Sequence, residues 1–499
     1  MSTLLANLVE MERTRETYWR RYPATSPVKL HWRALTVRHC FHLLPGESIL
    51  EIGAGSGIWT EHLARVGRGT HVTAAVFNDD LASAAETRAL RGTRVVRVTD
   101  LHRDLPAESF DYVVGTAILC HDRYGENLSA IHRLLKPGGQ LLFFEANFWN
   151  PQVLLKNTVP GLGGRLGQAS CQIGMRRYRL LEETSRRGFV EVTVIPYDIV
   201  HPRTPTALIP SVQSTAFVLE HVPGIRDLSG TLYIWAKKPG DEAPRRPRAD
   251  LAEHQQLFGS TSVVVPCHNE AMNMPRLVRA LLDSYDRYIH EIVLVDDNST
   301  DGTTEVAEAL AAAEPRVKVV TRTSDPGVGR ALRDGYRAAT GEYILSIDCD
   351  FAMIVPELRD LFDAVAAGRE GAIGSRFSHD SILVNYPVTK ILGNRAFHVL
   401  ACLLLGRRIR DISNNLKLYR APILKELEIE QPGFAANVET GLKPLLAGHD
   451  IVEVPISWIN RTPTMGSSSF DLLKVAPGYW RALARLTRDA WTGRNGRSS

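Results

Sequence analysis

Apolar and polar positions along this chain alternate in blocks, twice over. Short runs rich in aliphatic residues, SILEIGAG (48–55), THVTAAV (70–76), FDYVVGTA (110–117) and GQLLFFEA (139–146), are separated by stretches whose apolar residues recur at helical spacing. A second series, TSVVVPCH (261–268), EIVLVDD (291–297), RVKVVTR (316–322) and EYILSID (342–348), resumes the rhythm. Short strands alternating with helices predict a parallel sheet covered on both faces, and two series predict two such sheets. Between them lies KKPGDEAPRRPRADLAEHQQ (237–256), polar, charged and punctuated by Pro239, Pro244 and Pro247. That composition marks a linker, so the expected organisation is a domain over residues 1–238, a linker over 239–257 and a second domain over 258–499. The turn chemistry of the two series differs, which argues against duplication.

Composition changes this picture little. A length of 499 residues exceeds what one core serves, and 44% hydrophobic with 23% charged residues is ordinary globular usage. A formal charge of +4 supplies no field that draws nucleic acid. Six cysteines are scattered without a CxxC pair, as expected of free thiols in a reducing compartment. Glu10 and Glu12 interrupt what would be the apolar part of an export signal, so a cytoplasmic chain is expected. The run ILGNRAFHVLACLLLGRRI (391–409) contains Asn394, Arg395 and His398 and reads as a buried amphipathic helix, or at most a peripheral contact with the inner face of a membrane.

The first chemical signature is ILEIGAGSG (49–57), an apolar strand running into a glycine-rich turn and then a helix. Gly53, Gly55 and Gly57 let backbone N–H groups approach a ligand with no Cβ in the way. The spacing is G-x-G-x-G, whereas a dinucleotide site wants G-x-G-x-x-G. With Glu51 before the glycines, Asp100 after RVVRVTD, then SFDYVV (109–114) and LLKPGGQLLFFE (134–145), this half resembles the class I S-adenosylmethionine-dependent methyltransferases. The resemblance implies a Rossmann-like fold, with Glu51, Gly53, Gly55 and Gly57 at the cofactor and Asp100 on its adenine. One position departs: Val76 stands where the family carries the acid that accepts both ribose hydroxyls, leaving Asn78, Asp79 or Asp80 as substitutes. By its place in the chain, His121 is the candidate base for an oxygen acceptor.

In the second half, polar groups collect at the ends of strands, the edge where open α/β sheets bind ligands. VDDNSTDGT (295–303) follows one strand, and IDCD brings Asp348 and Asp350 to the end of another, a pair suited to a hard cation that also bridges phosphates. PCHNE (266–270), VDDNSTDGT, DPGVGRALRDG (325–335) and DCD, in this order, resemble the family 2 glycosyltransferases of GT-A fold. A sugar-1-phosphate nucleotidyltransferase would instead open on a G-x-G-T-R loop. GSRF (374–377), DISNNLKLYR (411–420) and IVEVPISWINR (451–461) are similar to the dolichol- and polyprenyl-phosphate mannosyltransferases within that family.

The resemblance implies that Pro266, Asn269, Glu270, Asp297 and Asp348 hold a nucleotide sugar, GDP-mannose-like, while Asp348 and Asp350 anchor Mg²⁺ or Mn²⁺ and Asp350 serves catalysis. An ionised lipid monophosphate attacks without a base and needs only cations to position it, for which Arg376, Lys390, Arg395, Arg420 and Arg461 are candidates. A hydroxyl acceptor, as on a glycan, would need a carboxylate base, and Asp411 is the candidate. Asn414 and Asn415 replace a glycine-containing turn of the family, Ala352 stands where a further metal ligand often lies, Ser469 occupies a usual lysine place, and the serine-arginine expected near Lys390 is missing. The expected protein is therefore α/β, two domains, a bifunctional enzyme of inverting, metal-dependent sugar transfer and S-adenosylmethionine-dependent methylation. The alternative is a glycosyltransferase whose methyltransferase-like half serves as a docking module.

Overall fold

Both blocks of apolar runs become seven-stranded sheets, one in each of two compact units, Met1–Pro247 and Arg248–Ser499. The computed structural model describes residues 3–240, 249–378, 380–384, 386–459 and 472–492.

In the first unit the strands are β1 (Ser48–Ile52), β2 (His71–Val76), β3 (Thr93–Arg97), β4 (Phe110–Thr116), β5 (Leu135–Ala146), β6 (Val190–Tyr197) and β7 (Thr231–Lys237). They lie in the order β3-β2-β1-β4-β5-β7-β6, parallel except for β7, which runs antiparallel to both neighbours. Leu50, Val113, Leu141, Phe143 and Ile234 are fully buried on these strands, each contributing about 1.5–3 kcal/mol of transfer free energy. Strand order reverses beside β1, so the crevice outside the ends of β1 and β4 is the place for a ligand. Three helices bear on that crevice: α1 (Thr3–Arg21), α2 (Ser26–Phe41) and α3 (Ile58–Gly67), the last starting directly after the glycine turn.

The second unit holds β8 (Thr261–Cys267), β9 (Ile289–Asp297), β10 (Val317–Arg322), β11 (Tyr343–Ser346), β12 (Gly371–Ser375), β13 (Leu383–Val384), β14 (Lys417–Arg420), β15 (Ile451–Pro455) and β16 (Trp458–Ile459). The main sheet has the order β10-β9-β8-β11-β14-β12-β15, with β14 antiparallel to β11 and β12, while β13 and β16 form a small parallel pair. Residues 250–257, read from sequence as linker, pack on this unit: Leu251 donates its N–H to the Ser284 carbonyl at 2.7 Å and His254 to the Tyr288 hydroxyl at 2.7 Å. Leu251, Ala252 and Leu257 are buried there, which draws them out of the connecting segment.

Candidate active site

In the second unit a cleft of about 620 Å³ opens where β8, β9 and β11 end. Parallel neighbours deliver their C-terminal residues to one edge, so Pro266, Glu270, Asp297, Asp348 and Asp350 all line it. Asp297 is held from two sides: its Oδ2 accepts the Gly327 N–H at 2.5 Å, and Arg322 Nε lies 3.2 Å from its Oδ1. Asn269 adopts φ +58° and ties the two donor-side loops together, its N–H donated to Ser299 Oγ at 3.0 Å and its Oδ1 accepting the Thr300 N–H at 2.9 Å. Its contribution is thus to shape the loop around Pro266 and Glu270. Glu270 in turn accepts Asn273 Nδ2 at 2.6 Å.

Asp348 accepts the Asn415 side-chain amide at 2.8 Å, and Asn415 Oδ1 accepts the Ser346 hydroxyl at 2.9 Å. Burial, with the adjacent Asp350 carboxylate, pushes the Asp348 carboxyl above the ordinary range. Cys349, between the two acids, brings its Sγ to 3.2 Å from that of Cys267. Among the described residues no group of three or more His, Cys, Asp or Glu forms a ready-made metal cage. Two carboxylates at one edge fit a cation whose remaining ligands come from phosphate oxygens and water.

The opposite wall combines cations with aromatic surface. Arg376 follows β12 and grips the fully buried Asp411 through Nε to Oδ2 at 2.8 Å and Nη2 to Oδ1 at 3.1 Å. Burial opposes ionisation of Asp411, but the guanidinium overrides it and holds the carboxyl well below the usual range. Lys390 also lines the cleft; burial and the nearby Arg376 lower its proton affinity. Phe397, Phe434, Tyr479 and Trp480 complete this side.

In the first unit Gly53, Gly55 and Gly57 all have left-handed φ, +71°, +59° and +77°, as the glycine-rich turn requires. The Gly55 N–H, however, meets a side chain of α1, while that of Gly57 is donated to the Ala54 carbonyl at 3.1 Å. Glu12 Oε1 accepts the Gly55 N–H at 2.9 Å, and its Oε2 accepts Phe77 N–H at 3.1 Å and Asn78 N–H at 2.9 Å. Burial raises Glu12 to about 7, against the pull of Arg15 and of these three donors. Glu16 accepts the Ser56 hydroxyl at 2.5 Å, and Arg15 donates to the Gly53 carbonyl and, at 2.8 Å, to that of Thr116. Glu51 is buried under the turn, bonded to Thr60 Oγ1 at 2.6 Å and raised to about 7 by burial.

Known proteins resemble both units. Glycosyl transferase family 2 matches residues 262–428, and a methyltransferase domain matches residues 50–143. Polyprenol monophosphomannose synthase of Mycolicibacterium smegmatis is 32% identical over 243 residues, 46% of this chain and 89% of that protein. The chain belongs to glycosyl transferase family 2. Undecaprenyl-phosphate mannosyltransferase of Micrococcus luteus is similar at 29% identity, over 40% of this chain and 83% of that one. A solved SAM-dependent methyltransferase from Thermotoga maritima, described as a possible histamine N-methyltransferase, has 18% identity and a TM-score of 0.34, covering 46% of this chain and 99% of that one. The two family matches and the two seven-stranded sheets meet the expected pairing of a Rossmann-like methyltransferase fold with a following GT-A glycosyltransferase fold.

Several residues expected at these sites lie elsewhere or are otherwise engaged. In the glycosyltransferase unit, Arg420 sits at the far end of β14: it pairs with Tyr343 at the start of β11, whereas Lys417 pairs with Ser346 at the cleft end. The reversed direction of β14 puts Arg420 at the opposite edge of the sheet, away from the cleft. Arg395 turns from the cleft, donating to Asn394 Oδ1 at 3.2 Å and to the backbone carbonyls of Phe377 and Arg410. Arg461 and Ser469 lie outside the described residues.

In the methyltransferase-like unit His121 is buried, with Arg123 N–H on its Nδ1 at 3.2 Å and the Asn127 side-chain amide 2.9 Å from its Nε2. Both ring nitrogens are used, so it braces the loop before the helix Tyr124–Leu134 rather than offering a base. Asp100 is exposed and accepts the His102 N–H at 2.8 Å in a surface turn. Val76 packs with Ala54, Ala74 and Ala82, and Asn78 caps the next helix by accepting Leu81 N–H at 3.1 Å, so neither reaches for a ribose. With Gly55, Phe77 and Asn78 N–H groups all held by Glu12, the residues as arranged do not fit S-adenosylmethionine.

The roles of two residues escaped the sequence reading. Asn415 supports Asp348, and Lys417, fully buried, donates to the Asn414 carbonyl beneath the cleft, its proton affinity lowered by burial to about 7 despite Asp411 and Asp348. The only sequence signal was the pair of asparagines in place of a glycine turn.

Proposed function

We propose that the glycosyltransferase unit transfers a sugar, with inversion, from a GDP-mannose-like donor to the phosphate of a polyprenyl monophosphate. The observation that carries this reading is the two-sided cleft: Asp297, Asp348 and Asp350 on one wall, Arg376 and Lys390 beside Phe397, Tyr479 and Trp480 on the other. Carboxylates suit a cation on the donor diphosphate, and cations next to aromatic surface suit a phosphate attached to a hydrocarbon chain. The names of the two mannosyl-transferring relatives agree with this division.

A lipid monophosphate is ionised near neutrality and attacks the anomeric carbon without surrendering a proton. Asp411 is therefore relieved of the base role; locked to Arg376, it positions that guanidinium toward the cleft. Asp348 and Asp350 would hold Mg²⁺ or Mn²⁺, which supplies charge neutralisation on the departing diphosphate. Val265 and Ile347, next in sequence to Pro266 and Asp348, are fully buried.

Membrane contact, on this reading, is peripheral and made from the cytoplasmic side. The helix Val388–Leu405 is long and apolar enough to cross a bilayer, yet its residues Lys390, Gly393, Asn394 and Phe397 line the cleft. Its Leu403 is 76% exposed and followed by Arg407 and Arg408, a disposition suited to lying on an anionic surface.

For the first unit, methylation of the sugar, the acceptor or a related intermediate is the companion activity, and a docking module is the other reading. The Glu12 contacts favour the docking module for the arrangement described. Incubation with a panel of sugar nucleotides, a short polyprenyl phosphate and S-adenosylmethionine, followed by mass spectrometry, tests the whole reading. Absence of any glycosylated lipid phosphate from every donor would overturn it.

A further inference from the structure

The charged face of α1 is the most unusual feature of the methyltransferase-like unit. Glu12, Arg15 and Glu16, spaced i, i+3, i+4, are all buried together with Leu8, Met11 and Trp19 on the same helix. Burying three charged side chains is unfavourable unless each finds partners. Here the partners are the main-chain groups that a class I fold presents to its cofactor: N–H groups of Gly55, Ser56, Phe77 and Asn78, and carbonyls of Gly53 and Thr116. The helix also fills the space that glycine leaves open. A Cβ added at Gly55 would stand 3.0 Å from Glu16 Oε2 and 3.2 Å from Arg15 Nη2.

The position of Glu12 is informative in its own right. Its carboxylate bridges the glycine turn and the two residues that follow β2, the gap a ribose would span. Val76 at the end of β2 offers that gap no acceptor, so Glu12 provides the carboxylate there, but directed at the backbone. Beneath it the turn keeps its left-handed glycines. The hold on the seat itself is polar, through Glu12, Arg15 and Glu16, while Leu8 and Met11, with Leu4, Leu5 and Val9 packed beside them, anchor α1 in the core of the unit, and residues 22–25 form a turn between α1 and α2.

We propose that α1 is a resident competitor for the cofactor seat: it keeps the methyltransferase cleft shut through Glu12, Arg15 and Glu16, and S-adenosylmethionine enters only when these side chains let go. Apparent affinity for the cofactor is then reduced by the fraction of molecules in which α1 is released. The inference is independent of the sugar-transfer reading, because it concerns the other unit.

The test uses the full chain and S-adenosylmethionine itself. Titration calorimetry of the native protein and of Glu12→Ala is expected to show at least about tenfold tighter binding by the variant. Hydrogen exchange of the native protein is expected to show α1 amides between Leu8 and Trp19 exchanging faster as cofactor saturates. Equal affinities would overturn the proposal, as would failure of both proteins to bind at millimolar cofactor, which makes α1 a permanent part of the core. Slower exchange of α1 on binding would overturn it too, since α1 would then be a lid over the cofactor. Circular dichroism and sugar transfer by the second unit report whether the variant is folded, and if it is not, Arg15→Gln and the native exchange measurement decide the matter.

Discussion

Asn415 donates its side-chain amide to Asp348 at 2.8 Å across 67 positions of sequence. It is itself fixed by Ser346, which lies 3.0 Å from the Tyr336 hydroxyl. If Asp348 holds the cation proposed above, it is sensitive to loss of the amide that aims it, since a ligand oriented by a hydrogen bond binds more tightly. Asn415→Ala should raise the Mn²⁺ or Mg²⁺ concentration for half-maximal sugar transfer about three- to tenfold, the loss of one hydrogen bond of roughly 0.5–1.5 kcal/mol. Turnover at saturating metal should be nearly retained. Metal titrations of initial rate check both halves, and a lowered maximal rate at unchanged metal dependence would show that Asn415 acts elsewhere.

Asp350 lines the cleft two residues beyond Asp348, and the proposed cation site needs both carboxylates. Asp350→Ala should abolish metal-dependent transfer, by at least about a hundredfold, because the charge on the departing diphosphate loses its anchored cation. Far-UV circular dichroism should be unchanged, the side chain being only partly buried at the surface of the cleft. Transfer of labelled sugar to a short polyprenyl phosphate measures the loss, and unchanged turnover would remove Asp350 from the site.

Arg376 and Asp411 form a pair in which each answers for the other. Arg376→Ala leaves a fully buried carboxylate without its cation, which should destabilise the unit by about 3–5 kcal/mol. Arg376→Lys keeps the charge but loses the two-pronged grip, so it should fold while the KM for the lipid phosphate rises more than kcat falls. Chemical denaturation separates the first effect, and steady-state kinetics the second. A change in kcat with unaltered KM would place the arginine at the donor instead.

How much of this could be read beforehand depends on whether the information is local. Strands and glycine turns were legible because each is written within a few residues: ILEIGAGSG does become β1, a left-handed turn and α3. The donor acids were legible because parallel strands send their C-terminal ends to one edge. Arg420 misled because strand direction is not local; one antiparallel strand, β14, carried it to the opposite edge. His121 misled because a histidine in a loop after a strand looks the same whether it faces a substrate or Asn127. Glu12 was legible only as an interruption of an export signal, since nothing in its own segment says that it would lie against Gly55.

The buried acids of the first unit set its response to pH. Burial raises Glu12 and Glu51 from 4.5 to about 7 and Glu220 to about 8. A carboxyl with a folded pKa above its unfolded value binds its proton more tightly when folded. The stability it contributes is therefore complete below about pH 4.5 and is lost as pH rises through 7 to 8, where the folded unit must ionise a group shielded from water. The expected result is a melting temperature for the first unit that falls between pH 5 and pH 8. Asp411 in the second unit runs the other way, its carboxyl held low, so its stabilisation persists across that range and is lost only in strong acid. Differential scanning calorimetry of the full chain at a series of pH values should thus separate two transitions as pH rises. Glu220→Gln, which removes the highest of the three pKa values, should flatten the upper part of the fall; a first transition that does not move with pH would show these carboxyls to be equally acidic in the folded and unfolded chain.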